Sequence, residues 1–254
     1  MEISEELAEI FGIHAGDGYL RNDGKRIELD ISGHVEDKEY YDKHISNLFL
    51  KEFGIELNCR YFPHRNTYGF VIRRKDVVEL LHKFGFPYGR KGNIVKVPES
   101  VLNSKDNIIK ACFLRGIADT DGSLTFDRKF NGKYTEFRKT RNYYPRIIFT
   151  TISKPLSEDV SKMLKYLDFR FYNQLYRPKN PKDSIKYKIW ITGVKELEKW
   201  MTLVGFANYG KFSKYLIWKK FGHCPPKTTQ MQRDSILKGK LDPNSLYGRL
   251  AQSG

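Results

Sequence analysis

Apolar and polar residues alternate along several short segments of the chain. In the segment 26–32, Ile27, Leu29 and Ile31 alternate with polar side chains, and the segments 123–127 and 186–192 repeat this pattern. A period of two predicts antiparallel β-strands with one covered face and one open face. Four further segments are predicted to be helices that cover one face of a sheet: about 37–53, 75–84, 154–168 and 194–204.

The chain also contains an internal repeat. The segment 7–20 recurs loosely as 111–124, and Asp17-Gly18 corresponds to Asp121-Gly122, 104 residues further on. A strand, a helix, two strands and a helix are predicted after each copy. The repeat therefore predicts an α+β fold of two halves, residues 1–106 and 107–224, with a basic C-terminal extension over 225–254. Two similar halves in one chain favour a monomer with internal pseudo-twofold symmetry.

Each motif copy is predicted to be a helix that ends at its Asp-Gly pair, with Gly18 and Gly122 in the left-handed conformation typical of a C-cap. Small residues four positions apart lie on one face of each helix and let two helix backbones approach closely. These positions are Gly12 and Gly16 in the first copy and Gly116 and Thr120 in the second. Packing along this face would bring Asp17 and Asp121 together.

The charge balance points to a polyanionic partner. The chain of 254 residues has 45 Lys and Arg against 30 Asp and Glu, a net charge of +15. Aromatic residues make up 14% of the chain, and many stand beside basic ones, as at Arg60 and Arg146. A basic solvated surface over an aromatic core is the plainer interpretation of this composition. Nucleic acid is favoured over a membrane surface, because the basic residues are scattered through predicted strands.

Composition excludes several classes of protein. With 40% hydrophobic and 30% charged residues, the chain is expected to be globular and not disordered. It has no apolar run of membrane-spanning length and no secretory signal at its start, so we expect an intracellular, cytoplasmic protein. Its three cysteines are far apart and predict neither a disulfide framework nor a zinc site.

Two carboxylates at the negative ends of packed helices repel each other and call for a cation. A hard divalent ion suits oxygen ligands, so we expect Mg²⁺, or Mn²⁺ or Ca²⁺ in its place, at Asp17 and Asp121. A phosphate oxygen of DNA would complete this sparse ligand set, which predicts phosphodiester hydrolysis. One Asp-Gly pair alone would be an ordinary turn dipeptide, but two aligned copies favour the functional interpretation.

The two motif copies resemble those of the LAGLIDADG homing endonucleases. The matching segments are Ile10–Gly18 and, more closely, Leu114–Gly122, and the resemblance extends over about residues 5–224. It implies two αββαββα halves, paired motif helices at the centre, and two saddle-shaped antiparallel sheets over double-stranded DNA. One departure is that Ala15 stands where the second copy has Asp119, and His14 is unusual at a helix-packing position.

The resemblance implies a role for particular residues. The last acidic residue of each motif, here Asp17 and Asp121, would bind metal, and the preceding Gly16 and Thr120 are included in the expected metal site. A lysine from the late loop of each half, Lys211 and its counterpart Lys91, would order water or offset charge beside these acids.

Alternate residues of the strands that follow the motifs would contact bases. For the first half these are Tyr19, Arg21 and Asp23, and for the second Ser123, Thr125, Asp127 and Lys129. The polar faces of the predicted strands and their basic neighbours add further DNA-binding candidates: Arg26, Glu28, Asp30, Arg60, Arg73, Arg146, Lys186 and Lys188.

We therefore expect a site-specific double-strand DNA endonuclease that recognises a long pseudo-palindromic site. Two alternatives stay open on the same scaffold: a catalytically silent DNA-binding regulator and a maturase that binds intron RNA. An intein-embedded enzyme is less favoured, because no splicing-domain sequence flanks the repeats. The extension from Pro225 could cross the duplex backbone or form a loose basic tail.

Overall fold

The computed structural model describes residues 3–128, 141–180 and 182–248. Within these ranges two halves have the same order of elements, αββαββα, as predicted for the fold class. The elements of the first half are α1 (Glu5–Asp17), β1 (Gly18–Asn22), β2 (Ile27–His34), α2 (Ser46–Phe53), β3 (Arg60–Phe62), β4 (Thr67–Ile72) and α3 (Lys75–Lys83).

A short helix, α4 (Glu99–Leu102), leads into the second half. The elements of that half are α5 (Asn107–Thr120), β5 (Ser123–Asp127), β6 (Tyr144–Thr151), α6 (Lys154–Tyr166), β7 (Phe171–Tyr176), β8 (Lys186–Thr192) and α7 (Val194–Leu203). Three further helices follow: α8 (Tyr209–Phe221), α9 (Gln230–Leu237) and α10 (Ser245–Gly248). No helix of the described residues combines the length and apolarity that a membrane crossing requires.

Each half contains one four-stranded antiparallel sheet. The strand orders are β1-β2-β4-β3 and β5-β6-β8-β7, so the two sheets share one topology. The period-two pattern is confirmed, since Leu29 and Ile31 are fully buried while Glu28 and Asp30 lie on the other face of β2. Helices cover the apolar face of each sheet and leave the polar face open.

The N-terminal ends of the motif helices are fixed by their own side chains. Ser4 accepts a hydrogen bond from the Leu7 amide at 3.0 Å at the start of α1. Asp106 accepts one from the Ile108 amide at 2.7 Å at the start of α5. Such caps satisfy amides that have no partner within the helix, so both helices begin at a defined residue.

Three of the predicted helices lie within two residues of their expected ends, but the segment 37–53 differs. It consists of a 3₁₀ turn at Val35–Asp37, a π-helical segment at Tyr40–Ile45 and only then α2. The apolar pattern does not distinguish the wider π-helical turn from an α-helix. π-Helical turns are rare and are frequent at functional sites, and this one carries a tyrosine towards the motif helices.

The prediction of left-handed caps at Gly18 and Gly122 is wrong. Gly18 has φ −82° and ψ 154°, which is extended backbone, and Gly122 is not among the glycines with positive φ. Both glycines are required by space. A Cβ at Gly18 would overlap the His14 ring, and one at Gly122 would lie 2.6 Å from the Ala118 carbonyl oxygen. The strand therefore turns back directly against the last turn of its helix.

The described part of the extension is folded and not a loose tail. Its Arg233 is buried, and the Nε donates to Ser213 Oγ of α8 at 2.8 Å. The Tyr209 hydroxyl of α8 donates to Asp234 of α9 at 2.7 Å. α9 thus packs against α8 on the second half.

Candidate active site and nucleic-acid interface

The seam between α1 and α5 is a close contact of two helix backbones. A Cβ at Gly12 would lie less than 3.0 Å from the Phe113 carbonyl oxygen, and a Cβ at Gly116 equally close to that of Glu9. At Gly16 the obstacle is the side chain of Thr120. The four positions predicted for the helix interface therefore lie at this seam, and the contact requires small residues there.

Asp17 and Asp121 come together where the two motif helices end. The pKa of Asp17 is raised to about 6 by burial and by the charge of Asp121, against the opposing effects of Tyr41 and two lysines. Burial also raises the pKa of Asp121, although the residue as a whole is exposed at the surface. Such a pair is stabilised by a bound cation, and carboxylate oxygens suit a hard divalent ion. No cluster of three or more His, Cys, Asp or Glu side chains with metal-binding geometry occurs among the described residues.

Lys91 and Lys211 occupy equivalent places in the two halves. Lys91 Nζ donates to the carbonyl oxygens of His14 and, at 2.7 Å, Gly16. Lys211 Nζ donates to the carbonyl oxygens of Asp119 and, at 3.4 Å, Thr120. Each lysine thus binds the carbonyl groups at the end of the motif helix in its own half. Cations are favourable at this negative end of a helix.

Burial lowers the pKa of both lysines against the favourable charges of the two aspartates. For Lys91 the value falls to about 8, and for Lys211 the shift has the same direction. The carbonyl groups of Gly16 and Thr120, expected in the metal site, accept these lysine hydrogen bonds.

Tyr41 is a site residue that the sequence did not reveal. Its hydroxyl donates to Asp17 Oδ2 at 2.9 Å from the π-helical segment. A sequence pattern assigns Tyr41 to a helix but does not indicate which buried polar group it meets. Its 24-residue separation from Asp17 makes the contact long-range.

Asp119 is buried on α5, two residues before Asp121. The corresponding residue of the first half is Ala15. The Ala207 amide donates to its Oδ2 at 2.8 Å, and burial raises its pKa to about 6. Asn208 donates to the Asp119 carbonyl oxygen at 3.1 Å and to Asp37 of the first half at 2.9 Å. This network fixes the start of α8, the helix that carries Lys211, against α5 and against the 3₁₀ turn of the first half.

A second polar contact crosses the seam further from the acids. Glu9 is buried and binds the Arg115 guanidinium through both carboxylate oxygens, while His44 lies 2.6 Å from the same carboxylate. Hydrogen bonds and charges from these partners lower the pKa of Glu9 against the effect of burial. Glu9 and Arg115 are 106 residues apart, and their pairing depends on how the two halves meet.

His14 is buried beside Lys91 and packs edge-on against Phe86, with ring centroids 4.5 Å apart. Neither ring nitrogen has a hydrogen-bond partner among the described residues, and burial lowers its pKa well below the usual value. The imidazole is therefore neutral and acts in packing.

The open face of the first sheet carries paired charges. Arg21 lies 2.6 Å from Asp23 and 3.6 Å from Glu28. Arg65, not anticipated from the sequence, lies 2.7 Å from Asp30. The other predicted contacts of this half lie on or beside the same sheet: Tyr19 is exposed on β1, Arg26 follows the hairpin turn, Arg60 begins β3, and Arg73 follows β4 and lies 3.4 Å from Glu28.

The open face of the second sheet is more aromatic. Arg146 lies 2.6 Å from Asp127, and its guanidinium stacks 4.4 Å from the centroid of the Trp190 ring. Tyr172 continues the stack on the other strand that flanks Trp190. Four further predicted residues lie on the same face: Ser123 and Thr125 on β5, and Lys186 and Lys188 on β8. Lys129 lies outside the described residues.

Part of the chain is similar to a known protein family and to segments of two archaeal proteins. A family model of a LAGLIDADG-like domain matches residues 109–205. The chain is 26% identical over 217 residues to the replication factor C small subunit of Methanocaldococcus jannaschii. It is 25% identical over 219 residues to the tRNA-splicing ligase RtcB of Methanopyrus kandleri. These matches cover 85% and 79% of this chain but only 10% and 20% of the two relatives, so each match is to a segment.

Comparison of structures gives the same fold. A structure of I-DmoI in complex with DNA and Mn has a TM-score of 0.52 at 15% identity, covering 79% of this chain and 96% of that one. A structure of I-DmoI with DNA and Ca has a TM-score of 0.51 at 16% identity, covering 80% and 91%. I-DmoI is a homing endonuclease.

Two αββαββα halves, each with one four-stranded antiparallel sheet, are joined through the paired motif helices α1 and α5. Residues 109–205 thus resemble a LAGLIDADG-like domain, and the described residues have the fold of I-DmoI.

Proposed function

We propose that this protein is a divalent-metal-dependent endonuclease that hydrolyses both strands of a specific double-stranded DNA site. The observation that carries the proposal is the meeting of Asp17 and Asp121 at the end of the glycine-lined seam. Two partly buried carboxylates this close together are stabilised by a bound cation. Each acid belongs to one half, and the strands of a duplex are likewise related by a twofold axis. One acid would therefore serve each strand.

Duplex DNA is the polymer that this arrangement fits best. The net charge of +15 favours a polyanion, and the two open sheet faces present polar, basic and aromatic side chains. The I-DmoI structures, which have this fold, are complexes with DNA. We assign residues 1–106 and 107–224 to one half-site each, and 225–254 to a C-terminal extension. The protein would act as a monomer inside the cell.

The donor set fits a hard divalent cation such as Mg²⁺. Asp17 and Asp121 would hold it through carboxylate oxygens, and the carbonyl groups of Gly16 and Thr120 lie beside them. When bound, such an ion polarises the scissile phosphate and activates water. In the reaction a water oxygen bonds to phosphorus, one bridging P–O bond breaks, and the departing oxygen takes up a proton.

The lysines have a separate role in this scheme. Lys91 and Lys211 neutralise the helix ends beside the acids and place positive charge where a phosphate would enter. Because the pKa of Lys91 is about 8, this side chain also exchanges its proton near neutral pH. Both lysines are anchored by carbonyl groups, so this charge is held in place before DNA binds.

The proposal is tested with a randomised duplex library incubated with Mg²⁺, followed by sequencing of the cut ends. Wild-type protein should cut one family of sites. Asp17→Asn and Asp121→Asn should each abolish double-strand cutting and leave DNA affinity within about threefold, because binding energy comes from the sheets. The matched control is Asp76→Asn, which removes an exposed acid on α3 and should cut normally.

Full double-strand cleavage by either seam variant would reject the assignment. Specific duplex binding with no Mg²⁺-dependent breaks would instead identify a DNA-binding regulator. Preferential binding of a structured intron RNA would identify a maturase.

A further inference from the structure

The two acids at the seam are not held in the same way. The hydroxyl of Tyr41 donates to Asp17 Oδ2 at 2.9 Å, and the tyrosine ring is fully buried between Tyr40 and Tyr68. A packed ring with one fixed hydroxyl leaves Asp17 few orientations. Its other carboxylate oxygen is left for other partners.

The backbone of β2 makes room for this hydrogen bond. A Cβ at Gly33 would lie 2.6 Å from Asp17 Oδ2 and 2.8 Å from the Tyr41 hydroxyl. Gly33 has no positive φ, so the glycine is required by space and not by conformation. Three separate elements of the first half therefore converge on one carboxylate oxygen.

The second half lacks this arrangement. Gly33 lies three residues beyond the partner of Tyr19 in β2, and the same count from the partner of Ser123 in β6 gives Thr151. Thr151 lines a small cavity together with Asp121 and Ser157, in the region where the first half has its tyrosine. Among the described residues no side chain donates a hydrogen bond to Asp121, although burial raises its pKa as it does that of Asp17.

We infer that Tyr41 is a positioning residue that orients Asp17, and that the two centres are consequently unequal: one is set before DNA and metal bind, and the other is set only by them. This inference rests on the proposed nuclease function. Because each acid serves one strand, loss of the Tyr41 hydroxyl affects one strand of the duplex more than the other. Preorganised groups avoid reorientation at the moment of reaction, and that is the advantage Tyr41 gives to its own centre.

The test compares Tyr41→Phe with wild type on the selected DNA site, with a different label on each strand. In single-turnover reactions with saturating protein, cutting of one strand should slow about tenfold, the order expected for losing a hydrogen bond to a charged group. Cutting of the other strand, and the DNA dissociation constant, should change less than twofold. The strand that is cut more slowly should be the same strand that Asp17→Asn fails to cut.

The matched control is Tyr68→Phe. The Tyr68 hydroxyl donates to Asp42 at 2.8 Å, close to Tyr41 but on a carboxylate outside the seam. Removing it should leave both strands within twofold of wild type. Gly33→Ala provides a second variant, because its Cβ would force Asp17 and Tyr41 apart while leaving the tyrosine in place. It should slow the same strand.

A readout besides cleavage is Mn²⁺ titration by electron paramagnetic resonance. Tyr41→Phe should weaken Mn²⁺ binding about threefold or more, whereas Tyr68→Phe should not. Equal slowing of both strands, or unchanged Mn²⁺ affinity in Tyr41→Phe, would overturn the inference. If wild-type protein makes no breaks at all, the nuclease proposal fails, and the Mn²⁺ titration alone still decides whether Tyr41 orients Asp17.

Discussion

The two halves of this protein are alike along their seam and unlike around their acids. At the seam, Gly12 and Gly116 each face the backbone of the opposite helix. A Cβ added at either position would overlap that backbone. Around the acids, Tyr41 has no counterpart among the described residues of the second half, and Asp119 is replaced by Ala15 in the first. Close helix contact imposes one steric rule on both partners. A buried polar group needs only some hydrogen-bond partner, and different residues can provide it. The polar residues around the acids can therefore differ between the two halves.

The two open sheet faces differ in the same manner. Each holds an arginine between a carboxylate and an aromatic ring: Arg65 with Asp30 and Phe62 in the first half, Arg146 with Asp127 and Trp190 in the second. Arg65 stands in a turn and is 44% exposed, whereas Arg146 stands within β6 and is 26% exposed. The same arrangement of arginine, carboxylate and aromatic ring thus lies at the rim of one sheet and in the middle of the other.

The largest expected effect tests the symmetric part of the comparison. In an exposed helix, Gly→Ala stabilises by about 1 kcal/mol. At Gly12 or Gly116 the new Cβ would meet backbone that cannot rotate away, so each variant should lose about 3–5 kcal/mol in urea denaturation. The two losses should agree within about 1 kcal/mol.

Gly16→Ala is the matched control for this prediction. Its obstacle is the Thr120 side chain. Rotation relieves the contact with Oγ1 but not the one with Cβ at 2.7 Å, so the loss should be smaller than at Gly12, where the new Cβ meets a backbone carbonyl. A stabilised Gly12→Ala or Gly116→Ala would contradict the description of the seam as a backbone contact.

This contrast also explains how much the sequence could predict. The seam and the meeting of Asp17 with Asp121 follow from local spacing, because small residues at i and i+4 share a helix face. The strands follow from their period of two. These features depend on residues close together in the chain, and the repeat supplies a second, independent copy of each.

The features that sequence reasoning missed are all contacts between distant residues. The Glu9–Arg115 pair joins residues on different helices, and the Tyr41–Asp17 contact requires a π-helical turn that has no distinct apolar pattern. The wrong prediction at Gly18 has a local origin, because the side chain that fills the space beside it is His14, four residues earlier. A glycine after a helix is typical of a left-handed cap, but here the strand begins at once and the glycine is needed for packing.

A smaller effect tests the asymmetric acid Asp119. Its pKa of about 6 in the folded protein exceeds its usual value of 3.8, so the folded state binds the extra proton between these values. Asp119 therefore makes the folded protein less stable as pH rises from about 4 to about 6. Asp119→Asn should remove about 1–3 kcal/mol of this decline, measured as the free energy of unfolding against pH.

The control for Asp119 is Asp76→Asn. Arg74 lowers the pKa of Asp76. Removing the Asp76 carboxylate should therefore leave the decline in the free energy of unfolding between pH 4 and 6 in place. Neutral Asn at position 119 can still accept the Ala207 hydrogen bond, so the seam network should persist. An unchanged pH slope in Asp119→Asn would show that this carboxyl does not carry the extra proton.

The smallest expected effect separates the two arginines. An arginine held within a sheet presents its donors to base edges, most often to guanine, and each such contact contributes about 1–3 kcal/mol of discrimination. Arg146→Ala should therefore relax a guanine preference at one position of one half-site by about 1–2 kcal/mol, measured by binding to a randomised library. Arg65→Ala, at the rim, should weaken all sequences alike and reduce the salt dependence of binding. Position-specific loss in Arg65→Ala and uniform loss in Arg146→Ala would reverse the assignment, because the more exposed guanidinium would then be the one that contacts bases.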